Sequence, residues 1–314
     1  MAGLRFRMAT QEDTPEIVAL LNATFRTPID GATWEWYVYG NPRGTSRIYL
    51  ALEPDGEKIA GVIGFSPTQL RIDGSAVLAD YAHHLALQPV YRDTLSYMAF
   101  LRHSLNGQAA GETTLAIGPP NKTAYPIHKT LMKWVDFGFL DCLRKLSPQR
   151  GQHDCRELKL FDEKQFDTFY ARVSRNFSFC VNKTSEWANW RFFRRPGSLY
   201  TVYAAGGEEE LKGYVVLKRW RDPDGYAKAH ILDLHALDEI ALSQLIAAAE
   251  CYASGSDELN LWAVQGYPYR PALETMGFSA SWRQPLIIRS YKLPAPRYPE
   301  GECSLSYGDG DTQY

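Results

Sequence analysis

The feature that most constrains this chain is a set of landmarks that recurs at a nearly fixed offset. The segment TWEWYVYGNPRG carries Trp36 ahead of Pro42, and EWANWRFFRRPG carries Trp190 ahead of Pro196. Each is followed by an extended apolar run, RIYLAL from Arg47 and LYTVYAA from Leu199, and then by a glycine-bearing strand pattern around Gly61 and Gly213. VLADYAHHLAL around Asp80 and HILDLHAL around Asp233 come next. The pairs Trp36/Trp190, Gly61/Gly213 and Asp80/Asp233 are offset by 154, 152 and 153 residues. Self-similarity at a fixed offset marks a duplicated unit, so the chain reads as two copies of one layout.

Periodicity sets the layout of one copy. A short strand over 4–8 precedes a helix over 12–25, in which Ile17, Leu20 and Leu21 form one apolar stripe. An aromatic helix over 32–39 stops at Gly40 and Pro42, where the chain cannot continue helical. Three antiparallel strands follow near 47–52, 58–71 and 75–87, joined by the turn signals PDGE and DG. A helix (92–106), a strand (113–117), a helix (123–134) and a strand (139–146) close the unit. The second copy runs as helices 164–175 and 184–194, strands 199–205, 210–220 and 225–235, helix 239–254, strand 258–264, helix 268–276 and strand 278–292. Antiparallel strands first and β-α-β crossovers later predict an α/β fold with a twisted mixed sheet and helices on both faces. The stretch PQRGQHD divides an N-terminal unit, 1–150, from a C-terminal unit, 151–293. A Pro-rich tail, 294–314, is expected to run extended over the surface.

Bulk properties exclude several classes. With 45% hydrophobic and 22% charged residues and a formal net charge of −2, the chain is an ordinary globular one with no polyanion-binding surface, so nucleic acid is not an expected partner. The five cysteines have no CxxC spacing matched elsewhere. They read as free thiols in a reducing cytoplasm rather than a zinc site or disulfide frame, and no metal is expected. Neither a signal peptide nor a run of about 18 apolar residues is present, so no membrane association is expected. A homodimer stays open.

The order of elements resembles that of the GNAT acyltransferases, which implies two tandem GNAT-like domains. The likeness is carried by YAHHLALQPVYRD, Tyr81 to Asp93, which is similar to the family's fourth strand and the loop after it. The resemblance implies that the strand end Leu85 to Leu87, Arg92 and the following turn with Thr94 and Ser96 cradle the pyrophosphate of acetyl-CoA or a longer acyl-CoA. Such a cradle uses unpaired N–H donors and the positive end of a helix dipole. Leu95 and Tyr97 stand where the family has glycines. A second likeness lies in GPPNKTAYPIHK. There the resemblance implies that Asn121 holds the pantetheine arm and that His128, at the family's tyrosine position, protonates the leaving thiolate. As a residue, Asn121 could equally cap the helix that follows. The second copy has Leu273 at the corresponding position and no arginine loop, so catalysis is assigned to the first copy and the second is read as shaping the acceptor pocket.

Acyl transfer to an amine needs a base, a donor for the oxyanion, and an acid or solvated site for the thiolate. Histidine suits the first. Strand alternation puts Tyr81, His83, Leu85 and Leu87 on one face and His84 on the other. His83 is the first candidate base, with His84 and Tyr81 next; the plain alternative is one buried, hydrogen-bonded histidine and one facing a helix. The tryptophans of the two aromatic helices read chiefly as packing, though an exposed one could stack on a sugar. Asp80 and Asp233 read as structural partners or as anchors for an ammonium substrate. The leading reading is an acyl-CoA-dependent N-acyltransferase acting on a small-molecule amine, in the class of nucleotide-linked amino sugars of polysaccharide biosynthesis. The alternatives are a Fem-like aminoacyl transferase for a cell-wall precursor and a non-catalytic GNAT-like binding module.

Overall fold

The computed structural model describes residues 3–25, 28–149, 151–197, 200–292 and 294–310. Its first half runs β1 (Arg5–Met8), α1 (Thr14–Thr24), α2 (Gly31–Tyr39), β2 (Arg47–Leu52), β3 (Ile59–Ile72), β4 (Ser75–Leu87), α3 (Thr94–Ala109), β5 (Leu115–Gly118), α4 (Ala124–Met132) and β6 (Val135–Leu146). The second runs β7 (Arg156–Leu158), α5 (Glu163–Val173), β8 (Phe177–Val181), α6 (Ser185–Phe192), β9 (Thr201–Ala205), β10 (Gly213–Arg221), β11 (Ala227–Ala236), α7 (Glu239–Ala253), β12 (Glu258–Val264), α8 (Arg270–Thr275) and β13 (Ser279–Ser290). A last strand, β14 (Glu302–Ser304), precedes a short 3-10 turn over Tyr307–Asp309. The strand expected over 199–205 begins at Leu199, and the expected division between halves includes Arg150; both residues lie outside the described ones.

All these strands join one mixed sheet in the order β1-β2-β3-β4-β5-β13-β6-β12-β11-β10-β9-β7, with β8 branching from the far end of β3 and β14 pairing with β8. Read from either end the order has the same sense: β1 to β5 descend one side, β7 and β9 to β12 descend the other, and the two closing strands meet at the centre. Those strands are exchanged. The second half's β13 pairs with β5, and the first half's β6 pairs with β12, while β6 and β13 pair with each other. Each unit was expected to close on its own last strand; instead each borrows its partner's. The reason is geometric, since two antiparallel closing strands can bury their backbone donors against either β5 or β12 and the exchange satisfies both.

Alternation along the strands divides the core by face. Ile48, Leu50 and Leu52 of β2 point into a core shared with α1, α2, α5 and α6, while Tyr49 and Ala51 face the layer under α3 and α4. The layer under α7 and α8 is the second half's equivalent. The aromatic helices begin at equivalent caps: Asp30 accepts from the Thr33 N–H and Thr184 from the Trp187 N–H. They meet at the landmark tryptophans. Trp36 Nε1 donates to the Trp190 carbonyl at 3.1 Å, Trp190 Nε1 donates back to the Trp36 carbonyl at 3.3 Å, and the rings stack at 4.8 Å. Trp34, Trp187 and Trp190 are buried, so these rings are spent on packing and offer no platform for a sugar. Asp80 and Asp233 are likewise spent, on Arg47 in one case and on Lys183 in the other.

The tail departs from expectation. It does not run over the surface: Cys303, Leu305 and Tyr307 are buried, β14 pairs with β8, and the final turn packs on β11. The prolines occur only at its start, and burying Leu305 and Tyr307 outweighs the pull of a polar composition.

Candidate active site

The site is created by a fault in the pairing of β4. On one side β4 runs antiparallel to β3, but after Gly61↔Leu87 and Val62↔Ala86 the register jumps to Gly64↔His83. His84 and Leu85 together oppose the single residue Ile63, a β-bulge, and His84 takes φ +50°. On the other side β4 pairs with β5 only over Ala79–Tyr81. Past that point the two strands part, and a cavity of about 910 Å³ opens between them. Its walls are the end of β4, the β5–α4 loop from Gly118 to Asn121, the inner face of α4, and the start of α3. Gln284 and Ile287 reach it from β13, so the second half completes the first half's cavity.

The bulge also cancels the expected alternation of the two histidines. His83 Nδ1 lies 2.6 Å from His84 Nδ1, and His83 Nε2 lies 3.0 Å from Ser66 Oγ. Gly64 makes this possible, because any Cβ there would collide with the His83 ring. With both ring nitrogens engaged and 4% of its surface exposed, His83 cannot take a proton from a substrate directly. Burial, and the neighbouring His84 second, push its pKa well down, so it stays neutral. His84 borders the cavity, with Trp34 edge-on at 5.5 Å and Phe25 at 6.5 Å. Tyr81 lies where β4 and β5 still pair; it is buried and its phenol tip packs against Gly310 of the tail, away from the cavity lining.

The remaining expected residues divide in the same way. Leu85, Leu87, Arg92, Thr94, Asn121 and His128 line the cavity; Ser96 does not. Arg92 is anchored by its Nε on the Leu87 carbonyl at 2.7 Å. Asp93 caps α3 by accepting the Ser96 N–H at 2.9 Å, so the helix terminus proposed for an anion already holds a carboxylate. Asn121 Oδ1 accepts the N–H groups of Thr123 and Ala124, which is the helix-capping role, while its residue still borders the cavity. His128 donates Nδ1–H to the Ala124 carbonyl at 2.8 Å, and burial lowers its pKa. Its Nδ1 proton is thus committed to the helix backbone, and burial favours the neutral ring, so the expected role as acid for a leaving thiolate finds no support in this geometry. Gln284, which donates to the carbonyls of Pro119 and Pro120 at 2.8 and 2.9 Å, and Ser66 were not foreseen. Only the strand exchange could have pointed to Gln284.

The second half has the same opening and fills it. Its β11 and β12 pair only from Lys228↔Glu258 to Ile231↔Leu261. Beyond them Tyr307 of the tail lies 4.3 Å from the Trp262 ring centre and 5.7 Å from His230, and Gly308 abuts the Leu232 carbonyl. Arg191 holds the tail by donating to the carbonyls of Gly308 and Gly310.

Known proteins share parts of this sequence and of this fold. The profile of the acetyltransferase (GNAT) domain matches residues 5–130. The chain is an acyltransferase. Acyl-coenzyme A is its acyl donor. None of the curated proteins matches this acyltransferase. Among solved structures it is similar to a probable N-acyltransferase from Enterococcus faecalis, with a TM-score of 0.68, 16% identity, and coverage of 92% of this chain and 73% of that one. A GCN5-related N-acetyltransferase from Anabaena variabilis gives a TM-score of 0.67 at 16% identity, covering 91% of this chain and 73% of that one. N-myristoyltransferase from Saccharomyces cerevisiae, with bound myristoyl-CoA, gives 0.67 at 10% identity over 92% and 83%. At these identities the likeness concerns the fold. Among the described residues, no helix of the acyltransferase is long and apolar enough to cross a membrane.

Proposed function

We propose that the first half binds acyl-CoA in the cavity between β4 and β5 and transfers the acyl group to the amine of a small acceptor, with His84 as general base. The observation that carries this reading is His84 itself, placed by the bulge in the wall of a large cleft between parted strands. The amine attacks the thioester carbonyl carbon and gives its proton to His84 Nε2; the C–S bond then breaks and that proton passes to the leaving sulfur. Leu85, Leu87 and Asn121 border the acyl and pantetheine path, and Arg92 and Thr94 lie toward the phosphates. The two halves are a tandem duplication, supported by the mirrored strand order and the reciprocal Trp36–Trp190 contact. The second half, its own opening filled by the tail, is the degenerate copy that supplies Gln284 and Ile287 to the site. A nucleotide-linked amino sugar is the acceptor class to test first.

Binding should raise the melting temperature by several degrees when acyl-CoA is present at about a hundredfold its Kd, a gain of about 2.7 kcal/mol. The series runs from acetyl-CoA to myristoyl-CoA, since a structural neighbour holds the latter. No shift with any member would overturn the reading; formation of the amide with an amino sugar but not with other amines would establish the acceptor.

The phosphate end has its own expected result. Asp93→Ser keeps a capping oxygen and removes a negative charge from the start of α3, so acyl-CoA should bind several-fold more tightly, and the gain should shrink as salt is added. Calorimetric titration at two salt concentrations checks this. An unchanged affinity would place the phosphates away from α3.

A further inference from the structure

We infer that His83, Ser66 and Ser46 form a buried positioning chain that holds His84 in the tautomer a base requires. This rests on the reading of His84 as that base. Four polar side chains follow one another inward from the cavity wall: His84 Nδ1 to His83 Nδ1 at 2.6 Å, His83 Nε2 to Ser66 Oγ at 3.0 Å, and Ser66 Oγ to Ser46 Oγ at 2.7 Å. All four residues are buried. They come from three separate places in the fold, the bulge of β4, the middle of β3 and the residue ahead of β2, so local chain geometry alone does not bring them together.

The direction of the chain follows from the chemistry. Two Nδ1 atoms in contact share one proton, so one ring donates and the other accepts. For His84 to receive a proton at Nε2 it must carry its own on Nδ1 and donate it to His83. His83 then keeps its proton on Nε2 and donates to Ser66, and Ser66 donates to Ser46. When His84 becomes an imidazolium, its bond to the neutral His83 becomes charge-assisted and stronger. Serine triads orient their histidine with a buried carboxylate; here a second, neutral imidazole does the work, and it leaves no negative charge beside an acyl-CoA. In the opposite direction Ser46 and Ser66 would donate outward, toward the cavity, and His84 would carry its proton on Nε2 and serve as a donor instead.

Selective 15N labelling of the histidine rings in the full chain reads this directly, with the His84 signals identified by their loss in His84→Asn. Above the ordinary histidine titration range the wild type should show His84 protonated on Nδ1 and bare on Nε2. Ser66→Ala should mix in the other tautomer, lower kcat by roughly tenfold and leave the KM for acyl-CoA in place. Ser66→Thr, which keeps the hydroxyl, should restore both. A wild-type His84 protonated on Nε2, or a tautomer indifferent to Ser66→Ala, overturns the chain whatever the activity. If His84→Asn leaves kcat unchanged, the base assignment fails instead, and the ring signals tell the two failures apart.

Discussion

His84→Asn is expected to lower kcat by about a hundredfold to ten-thousandfold, the usual worth of a positioned base, while the KM for acyl-CoA barely moves. Asparagine is the informative substitution because His84 has φ +50°. Alanine would add backbone strain in that left-handed region, whereas asparagine adopts it readily, so the bulge and the cavity wall survive. The amide cannot accept a proton from an ammonium group. Initial rates over a range of acyl-CoA concentrations, with unfolding curves to show that stability is retained, check the result. A kcat within a factor of a few of wild type would remove His84 from the chemistry.

The second large effect concerns the tail. Lys183 Nζ lies 2.7 Å from both oxygens of Asp233 and 3.0 Å from Asp309 Oδ1, with all three side chains out of contact with water. Tyr214 donates its hydroxyl to Asp233 as well. Lys183→Met strips the cation from two buried carboxylates and should destabilise the fold by about 3–5 kcal/mol. Denaturant unfolding checks it, and adding Asp233→Asn to the same chain should recover part of the loss. A cost below about 1 kcal/mol, the level of an exposed pair, would mean the network is solvated. The pH dependence has a definite sign. Burial alone would lower the Lys183 pKa, but Asp233 and Asp309 outweigh it and raise it, so its contribution is complete below the ordinary lysine value and is lost as pH rises through the raised one. Burial alone would raise the Asp233 pKa, but Lys183 and then His235 pull it far down, so its contribution is complete above the ordinary aspartate value and is lost as pH falls. The stabilisation therefore spans about pH 4 to about pH 10, and the Lys183→Met deficit should be largest inside that window.

Much of this architecture was legible from residue pattern. The landmark tryptophans Trp36 and Trp190 sit on similarly capped helices, one in each half, and bond to each other. Long periodic segments such as β3, β4 and α7 fall close to their expected limits. What escaped were features in which one residue count decides the outcome. Alternation predicts opposite faces for His83 and His84, and nothing in YAHHLAL signals that the strand slips by one residue there. Exchange of β6 and β13 was equally hidden, because both strands carry the same kind of pattern and either could close either unit. The tail's prolines point to an extended surface run, but burial of Leu305 and Tyr307 decides its course. Asn121 shows the remaining ambiguity: a capping asparagine and a ligand-facing one have the same sequence signature, and here the cap is seen while the residue also borders the cavity.

The strand exchange has a consequence in time. During synthesis the first half leaves the ribosome with β5 and β6 made but without the strand that belongs between them, and Gln284 and Ile287 emerge well over a hundred residues later. Pairings that distant in sequence carry a large loop-closure cost and form late. The cavity proposed for acyl-CoA, although nearly all its residues belong to the first 134, can thus be completed only after β13 has been made. A chain cut short before β13 leaves β5 and β6 without the strand between them, a sheet with an open edge.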